Sequence, residues 1–453
     1  MSKRLIPPIT FGGSLVPGRA RARSLAATDA LPATADVVVI GGGIIGTATA
    51  LYLASRGVSV VLCEKGAIAG EASGRSFGQV GSAGLAPIKL ELLLEAKRLW
   101  SGLNAFVGGE TGYRQNGYLA PIVDEATRQM FEEWLEVARP HEPAARLLNS
   151  ADIASLSPGL EGGTAFYNPT DGTAEPMLAA TAMAEGARKL GARIVAPCAV
   201  RGVELAGGRV SGVVTEAGPI RTSSVVLAGG CWSRLFCASV GLDLPLLNVH
   251  AFCESVYDVD PGPVGSVDGP GVSWRRQVDG GYTICVIGGH VPVVPAVLRY
   301  AGRYLALLKS VHWDLDVSVG RTFLQELATP SRWKLDAVSP FERRRVLEPE
   351  ISAKFTALAR EKIVAFQPAF RGMRSGEVWA GVLCTPPDNS PTLSPVSSVP
   401  GLFLATGFSY GLTMAPAVGK AMAELVTGAT PSIDLTPYRY ERYIDGTPLA
   451  PLA

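Results

Sequence analysis

The clearest hydrophobic pattern in the chain lies between residues 35 and 65, in ADVVVIGGGIIGTATALYLASRGVSVVLCEK. A short β-branched run from Val37 to Ile40 predicts a buried parallel strand. Apolar residues at helical spacing follow a glycine cluster and predict a helix. The segment GVSVVLCEK predicts a second strand that ends at Glu64. The pattern as a whole therefore predicts a strand, a turn, a helix and a second strand.

The same stretch carries no charged residue between Val37 and Ser55, so a membrane span is the alternative interpretation. A spanning helix needs about 20 consecutive, predominantly apolar residues. Glycine, threonine and serine interrupt the supposed span repeatedly. The sequence therefore favours a nucleotide-binding segment over a membrane helix.

Gly41, Gly43 and Gly46 form a GxGxxG motif where the first strand meets the helix. Such glycines allow a tight turn, a close approach of pyrophosphate to the backbone, and close packing of helix on strand. The helix N-terminus offers free N–H groups to the phosphates. Glu64 follows Gly46 by 18 residues and is placed to accept hydrogen bonds from ribose hydroxyls. This order of elements predicts a dinucleotide site.

Further along the chain, three segments combine apolar runs with glycine-rich turns. GEASGRSFGQVGSAG, residues 70–84, predicts a loop, and RTSSVVLAGGCWSRLF predicts a strand, a turn and a helix. GLFLATGFSYGLTMAPAVGKAMAELVTG predicts a strand, a second glycine turn and an amphipathic helix. A second helix start behind a glycine turn suits another electron-rich group of the same ligand.

Other patterns predict the remaining elements. ETGYRQNGYLAPIV and GGYTICVIGG have the aromatic and β-branched content of sheet strands. EEWLEVARPHE predicts an amphipathic helix, and ERRRVLEPE, residues 342–350, predicts a solvated helical face.

Length and composition limit the class of protein. A chain of 453 residues suggests about two domains, and 47% hydrophobic with 18% charged residues is typical of a globular protein. Forty-one basic and 40 acidic residues leave a net charge of +1, and the absence of long basic tracts argues against nucleic acid as a partner. The first 34 residues contain basic, proline and glycine residues without an apolar signal-peptide core, so we expect an N-terminal arm.

The sequence offers little for a metal site. Seven cysteines include no CxxC pair, and their odd number argues against a zinc site or a disulfide framework. The chain has four histidines, which makes a histidine-based metal centre unexpected. We therefore expect no metal and a reduced, cytoplasmic setting.

Six segments together resemble the family of FAD-dependent D-amino-acid, glycine and sarcosine oxidases. They are VVVIGGGIIG, GEASGRSFGQV, YNPTDGTAEPMLAATAMAEGARKLGARI, VVLAGGCWSRLF, WAGVLCTPPDNSPTL and GLFLATGFSYGLTMAPAVG, in the family's order. The resemblance covers about residues 35–428 and implies an α/β fold. A Rossmann-like FAD-binding domain would interleave with a substrate domain built on a mixed, largely antiparallel sheet.

The resemblance also implies domain boundaries. Residues 35–86, 165–244 and 367–428 would form a discontinuous FAD-binding domain, and residues 90–164 and 245–365 the substrate domain. Residues 1–34 would remain an arm and residues 429–453 a C-terminal tail. The candidate cofactor-binding residues are Gly41, Gly43, Ile44, Ile45, Gly46, Glu64, Lys65, Ser73, Gly74, Arg75, Phe77, Gly78, Gln79, Val200, Ala228, Gly229, Trp232, Gly407, Tyr410, Gly411, Leu412 and Thr413.

The chemistry implied by this resemblance is hydride transfer from the carbon beside a neutral amine to flavin N5, which leaves an imine. The cofactor carries the difficult step, and the protein orients the C–H bond. Relatives specific for amino acids place an arginine two residues after the W-x-G segment, where it grips the substrate carboxylate; here that place is Leu383. Either another arginine takes over, with Arg75, Arg371 and Arg374 as candidates, or the substrate has no carboxylate there.

Two further departures concern the flavin. The cysteine that attaches FAD covalently in sarcosine oxidases corresponds to Gly381, with Cys384 nearby, so we expect non-covalent FAD. The oxygen-activating lysine of that branch is absent from GYTICVIGG, which favours a carrier over O2 as electron acceptor. Arg75 and Tyr410 are the candidate catalytic residues. A cation such as Arg75 beside the flavin stabilises its reduced anion. Tyr410 stands near the place where relatives often have histidine or arginine, and it either faces the substrate or only closes the turn.

The less specific residues receive structural interpretations. We expect Trp232 and Trp379 to pack in the core rather than to stack on the substrate. Trp232 is also one of the candidate cofactor-binding residues. His250 and His290 are expected to be structural, and the cysteines to be buried thiols, with Cys384 the best candidate for chemistry.

The sequence therefore predicts an FAD-dependent enzyme that oxidises the C–N bond of an amine or an N-substituted or unusual amino acid. A D-amino-acid dehydrogenase or oxidase with a relocated arginine is the first alternative. An FAD-binding subunit of a hetero-oligomeric opine- or sarcosine-oxidase-like complex is the second. For the assembly state, the sequence leaves a homo-oligomer as a further alternative.

Overall fold

The structure, a computed structural model, describes residues 28–84, 86–160, 162–310 and 314–449. The strands are β1 (Val37–Ile40), β2 (Val60–Cys63), β3 (Gln79–Val80), β4 (Tyr118–Pro121), β5 (Arg146–Asn149), β6 (Thr164–Asn168), β7 (Gly172–Thr173), β8 (Arg193–Val195), β9 (Val200–Ala206), β10 (Arg209–Thr215), β11 (Gly218–Arg221), β12 (Ser224–Leu227), β13 (Leu247–Tyr257), β14 (Ser266–Gly269), β15 (Val272–Arg276), β16 (Tyr282–Val286), β17 (Gly288–Val293), β18 (Asp314–Val319), β19 (Arg374–Thr385), β20 (Thr392–Pro395) and β21 (Leu402–Thr406).

The helices are α1 (Ile44–Ser55), α2 (Ala72–Arg75), α3 (Pro87–Val107), α4 (Glu125–Ala138), α5 (Ser150–Leu156), α6 (Pro176–Lys189), α7 (Ser233–Ser239), α8 (Pro295–Ser310), α9 (Arg321–Ala328), α10 (Pro340–Arg343), α11 (Ala353–Phe366) and α12 (Gly411–Val426). Short 3₁₀ turns cover Gly230–Trp232, Pro368–Phe370, Thr436–Tyr438 and Tyr440–Tyr443.

A six-stranded sheet carries the first motif. Its order is β20-β21-β12-β1-β2-β8, and all neighbours are parallel except β20 and β21. All four residues of β1 are buried, as the β-branched run predicted. Ile40 is in register with both Cys63 and Leu227, so β1, β2 and β12 end at the same edge of the sheet. The turn after β1, Glu64 and Ala228 therefore meet at that edge.

Helices α1 and α12 pack against each other over this sheet. A methyl group on Gly419 would lie 2.6 Å from the Ala48 carbonyl carbon, so the two backbones are in close contact. Small residues let helices approach closely and fill the interior at high density. This contact fixes the two predicted ligand-binding helices relative to each other.

The second sheet is larger and mixed. Its strands run in the order β18-β17-β13-β16-β15-β14-β4-β6-β5, and β19 also pairs with β13. β4 with β14 and β17 with β18 are parallel pairs, and the other pairs are antiparallel. The fold is therefore α/β with a parallel-rich sheet and a mixed, largely antiparallel second sheet, as expected. The division into two domains stays a prediction, since β6 and β19 belong to segments assigned to FAD binding but pair in the second sheet.

Two sequence predictions of local structure were wrong in part. ETGYRQNGYLAPIV forms a strand at Tyr118–Pro121, while its earlier part turns through Gly112 and Gly117 at positive φ. ERRRVLEPE is not a helical face: α10 ends at Arg343, and the Glu342 side chain is 8% exposed and accepts a hydrogen bond from Arg201. A charge pattern alone does not show whether a buried partner lies elsewhere in the chain.

Both ends of the chain contact the main body where they are described. Within the predicted arm, the Asp29 N–H donates to the Ile194 carbonyl at 3.0 Å, and residues 1–27 lie outside the described residues. In the C-terminal tail, the Arg442 guanidinium forms a buried ion pair with Asp388 at 2.7 Å. No helix among the described residues is long and apolar enough to cross a membrane.

Candidate active site

The turn after β1 borders a long cavity. Gly41 has φ of +112°, and a methyl group there would lie 2.4 Å from the Ala228 carbonyl oxygen. A methyl group on Gly46 would overlap the Gly41 carbonyl oxygen. Gly43 differs, because its added methyl group would meet only the Ser73 hydroxyl, at 3.0 Å. Gly41 and Gly46 thus permit tight packing, while Gly43 lines the cavity and presents its backbone to a ligand.

Glu64 lies beside this turn at the end of β2. One carboxylate oxygen accepts a hydrogen bond from the Gly42 N–H and the other from the Gly66 N–H, each at 2.6 Å. Burial raises the pKa of Glu64, and the two backbone N–H groups oppose that shift. Each carboxylate oxygen has a further lone pair, so hydrogen bonds to ribose hydroxyls stay available.

The loop after Gly70 lies along the cavity and carries α2 and β3 where an irregular loop was expected. Ser73 in α2 accepts a hydrogen bond from the Ile44 N–H at 2.8 Å, which satisfies one free group at the start of α1. The Thr413 hydroxyl donates to the Gln79 carbonyl oxygen at 3.1 Å. The loop therefore connects the N-termini of α1 and α12.

The second glycine turn borders the other end of the cavity. It leads through Tyr410, the N-cap position, into α12, which begins at Gly411. Tyr410 exposes 40% of its surface and lines the cavity. The exposed part of the ring faces this enclosed space rather than bulk water, and desolvation there, with the charge of Asp268, raises the pKa of the phenol to about 12. The free N–H groups at the start of α12 favour an electron-rich ligand group here.

Arg75 lies inside the site but already has partners. Its guanidinium donates to the Glu348 carboxylate at 2.8 and 3.0 Å and to the Ala380 carbonyl oxygen at 3.1 Å. The side chain of Glu348 is largely exposed, whereas that of Arg75 is 6% exposed. Arg371 and Arg374, the other two candidates for a carboxylate grip, are exposed and do not line this cavity. Of the three arginines, Arg75 alone is placed to meet a substrate.

One wall of the cavity is the face of the β13–β19 pair. Val249 is opposite Leu383, and Ala251 is opposite Gly381. Because side chains alternate across a strand, these positions and Cys253 share one face. All five residues line the cavity. The position where amino-acid-specific relatives carry an arginine is therefore part of an apolar wall.

Several cavity residues escaped the sequence analysis. Arg345, Val346 and Leu347 come from the segment predicted to be a solvated helix, yet they line the cavity. Arg345 donates to Glu216 at 2.5 Å, and the Leu347 N–H donates to Glu71 at 2.7 Å. Periodicity gave no signal for them, since an irregular segment that returns to a distant site has no repeating pattern.

Glu71 was also missed, although it connects two predicted residues. It accepts hydrogen bonds from Lys65 at 2.9 Å and from the Trp232 indole N–H at 2.9 and 3.0 Å. The Lys65 ammonium lies 4.2 Å from the centre of the Trp232 ring. Glu71 thus fixes both side chains at the cavity wall, where the sequence placed them.

Most predicted cofactor residues line this one cavity. The exceptions are Gly46, Gly74 and Gly407, which pack against neighbouring atoms. His250 and His290 do not line it; their rings lie 5.7 Å apart, and burial lowers the pKa of His250 to about 4. Burial raises the pKa of the Cys384 thiol, which therefore stays protonated in the cavity.

Comparison with known proteins identifies the family. The family model for FAD dependent oxidoreductases matches residues 36–425. The chain belongs to this family. The resemblance to a family of FAD-dependent oxidoreductases that was seen in the sequence is thus confirmed, together with its α/β fold.

Individual relatives within the FAD dependent oxidoreductases are similar along nearly the whole chain. L-amino acid deaminase from Proteus myxofaciens, solved with anthranilate, is 35% identical, with a TM-score of 0.90 over 94% of this chain and 97% of that one. Glycine oxidase from Pseudomonas aeruginosa is 26% identical, covering 89% of this chain and 97% of the relative. Mitochondrial sarcosine dehydrogenase from Mus musculus is 24% identical over 91% of this chain, but the match spans 42% of the relative.

The cavity fits the FAD that this family binds. Gly43, whose backbone lines the cavity without a side chain, and the first turn of α1 suit the pyrophosphate, and Glu64 lies where a ribose would follow. The start of α12 suits the electron-rich edge of the isoalloxazine. Bound FAD supplies the hydride acceptor, while the protein residues bind and orient the substrate.

Proposed function

We propose that this chain oxidises the C–N bond of an amine, or of an N-substituted or unusual amino acid, to an imine. The observation that carries the proposal is the apolar pair of Leu383 and Val249 on the cavity wall. A leucine cannot hold a carboxylate, and an aliphatic wall favours an apolar substrate body through burial of its surface. The proposed substrate therefore presents an amine and an apolar group rather than a small carboxylate.

The side chains around the wall have supporting roles in this proposal. Leu383, Val249 and Ala251 orient the apolar body and keep water from it. Arg75 lies against Gly381 on the cavity side, and its guanidinium donates to the Ala380 carbonyl oxygen at 3.1 Å, so a cation is held close to the wall. The largely exposed Glu348 balances part of this charge, and the remainder favours reduction of a neighbouring flavin to its anion. FAD is proposed to be non-covalent, because Gly381 cannot form a thioether bond.

An α-amino acid is the second candidate substrate. The likeness to L-amino acid deaminase, at 35% identity, favours it, and so does the presence of Arg75 in the cavity lining. Arg75 would then exchange Glu348 for the substrate carboxylate, which pairs well with a planar guanidinium. A D-amino acid would use the same arginine with the opposite face of its α-carbon toward the flavin.

Anaerobic bleaching of the flavin distinguishes these substrates. The purified protein is mixed without oxygen with phenethylamine, N-methylphenylalanine, L-phenylalanine and D-phenylalanine, and the loss of flavin absorbance is followed. Faster bleaching by the amine or the N-methyl compound supports the first proposal. Faster bleaching by L- or D-phenylalanine replaces it with the second.

Further experiments on the same purified protein test the electron acceptor and the need for a partner subunit. We propose a carrier rather than O2 as acceptor, so reduced protein should reoxidise faster with a quinone than with air. A substrate that bleaches the flavin while turnover stays slow with both acceptors would favour the hetero-oligomeric alternative. Turnover restored by a partner subunit would establish that alternative.

A further inference from the structure

A row of paired residues crosses the second sheet and ends at an acid. Cys253 is opposite Cys285, Cys285 is opposite Ser273, and Ser273 is opposite Asp268. All four line the cavity, so the row faces the same space as the apolar wall. Glu64 and Glu71 also line the cavity, but Glu64 lies at the Rossmann turn and Glu71 is bound to Lys65. Asp268 is therefore the acid on the sheet side.

Asp268 is held in place by neutral groups. Its carboxylate accepts a hydrogen bond from the Tyr118 hydroxyl at 3.0 Å, and Ser273 also bonds to it. Asp268 lines the same cavity as Tyr410, the N-cap residue of α12, and its charge contributes to the raised pKa of Tyr410. The acid therefore borders the space in which the cofactor and substrate are expected to bind.

The carboxylate lacks a cationic partner within the described part of the chain. No lysine, arginine or histidine there forms an ion pair with Asp268, and burial raises its pKa. Asp268 is half-buried, and a ligand that fills the cavity would remove its remaining water, which is costly unless a positive charge or enough hydrogen bonds compensate it. A ligand that carries a cation would supply the missing charge.

We propose that Asp268 binds the amino group of the substrate and thereby selects compounds with a basic amine. An amine in either protonation state donates N–H groups to the carboxylate, and the ammonium form adds a charge-assisted bond. Further along the same sheet face, the wall of Leu383 and Val249 takes the apolar body. This inference rests on the proposed function and assigns the amine-binding group of the same site.

The experiment compares two ligands of matched shape and opposite charge. Phenethylamine and 3-phenylpropionate are mixed anaerobically with the holoprotein. Each Kd is obtained from the shift of the flavin spectrum or, where the flavin is reduced, from the dependence of the reduction rate on ligand concentration. Asp268→Asn should raise the Kd of phenethylamine by at least about tenfold, because a charge-assisted hydrogen bond is lost. The same variant should bind 3-phenylpropionate equally or more tightly, because a like charge is removed.

Matched variants separate this role from a structural one. Asp316→Asn removes an exposed acid that pairs with His290 and Lys354 and should leave both Kd values unchanged. Flavin content and melting temperature verify the fold of Asp268→Asn, and Asp268→Ser repeats the test should the amide variant fail to fold. Equal weakening of both ligands, or no effect on phenethylamine, overturns the proposal. Absent turnover of every amine would overturn the proposed function, while a charge-dependent Kd would still establish Asp268 as an amine-binding residue.

Discussion

Leu383 on β19 lies directly opposite Val249 on β13, and both side chains face the cavity. The two strands pair along most of their length, from Leu247 with Thr385 to Tyr257 with Arg374. The wall is therefore rigid, and a substitution at Leu383 changes its chemistry without moving its backbone.

The first prediction concerns this wall. Leu383→Arg should lower KM for small amino acids such as glycine or alanine, because a guanidinium can pair with the carboxylate. It should raise KM for phenethylamine, since a charge replaces apolar contact. Steady-state kinetics with a dye acceptor measure both. Leu383→Met keeps the apolar character of the wall and should change neither KM by more than about threefold. An unchanged KM for small amino acids in the arginine variant would contradict the prediction.

The second prediction concerns Gly43, which lines the cavity at the expected pyrophosphate. Its backbone is extended, with φ of −72°, so alanine adds no backbone strain, but its methyl group would lie 3.0 Å from the Ser73 hydroxyl that accepts a hydrogen bond from the Ile44 N–H, and it would cover the backbone beside the pyrophosphate. Gly43→Ala should weaken FAD binding by at least about tenfold, or about 1.4 kcal/mol. Reconstitution of apoprotein with FAD, followed by flavin fluorescence, measures the Kd.

Gly102→Ala is the matched control for Gly43. Gly102 lies within α3, and a methyl group there would meet nothing within 4 Å. This change should leave FAD affinity unchanged and stabilise the protein by up to about 1 kcal/mol. Equal FAD affinity in both variants would show that Gly43 does not border the pyrophosphate.

The third prediction concerns flavin attachment. Precipitation of the protein with trichloroacetic acid should leave all yellow colour in the supernatant, because Gly381 carries no thiol and burial keeps the Cys384 thiol protonated. Cys384→Ser should retain the same flavin content. Colour in the washed pellet of the wild type, lost in the serine variant, would instead establish a covalent bond at Cys384.

The fourth prediction concerns pH. Burial, followed by the neighbouring His290, lowers the pKa of His250 to about 4, below the usual value of 6.5. The unfolded chain therefore binds more protons than the folded chain between these values, so His250 makes stability fall as pH decreases from 6.5 to 4. His250→Gln should lose less stability than wild type over this range, by on the order of 1–3 kcal/mol.

Urea unfolding at pH 7 and pH 4.5 measures this difference. His141→Gln, at an exposed position, is the control and should follow the wild type at both pH values. If the wild type and both variants lose the same free energy of unfolding between pH 7 and pH 4.5, groups other than His250 cause the acid sensitivity.

The fifth prediction concerns a buried ion pair beside the flavin loop. Arg275 donates to Glu175 at 2.7 and 3.0 Å, and its side chain is 1% exposed. Glu175→Gln should destabilise the protein by about 3–5 kcal/mol, because it leaves a buried charge without compensation. Glu125→Gln, which breaks an exposed contact with Arg128, should cost less than about 1 kcal/mol. Chemical denaturation measures both, and similar values for the two variants would contradict the prediction.

The sequence by itself determined the first motif, because its signals are local. The β-branched run at Val37–Ile40, the glycine spacing and the acid at Glu64 fix the strand, turn and helix within one short stretch of the chain. The same holds for the turn before Gly411 and its helix. Six such segments in order were enough to indicate the family before any contact was known.

Only the tertiary structure decided what surrounds the substrate. Leu383 and Val249 are more than 130 positions apart, and their contact depends on the pairing of β13 with β19. Asp268 gave no signal in the sequence, and the irregular segment at Val346 lines the cavity although its charges predicted a solvated helix. Periodicity records which face of an element is apolar, whereas a binding site is assembled from whichever faces the chain folds together.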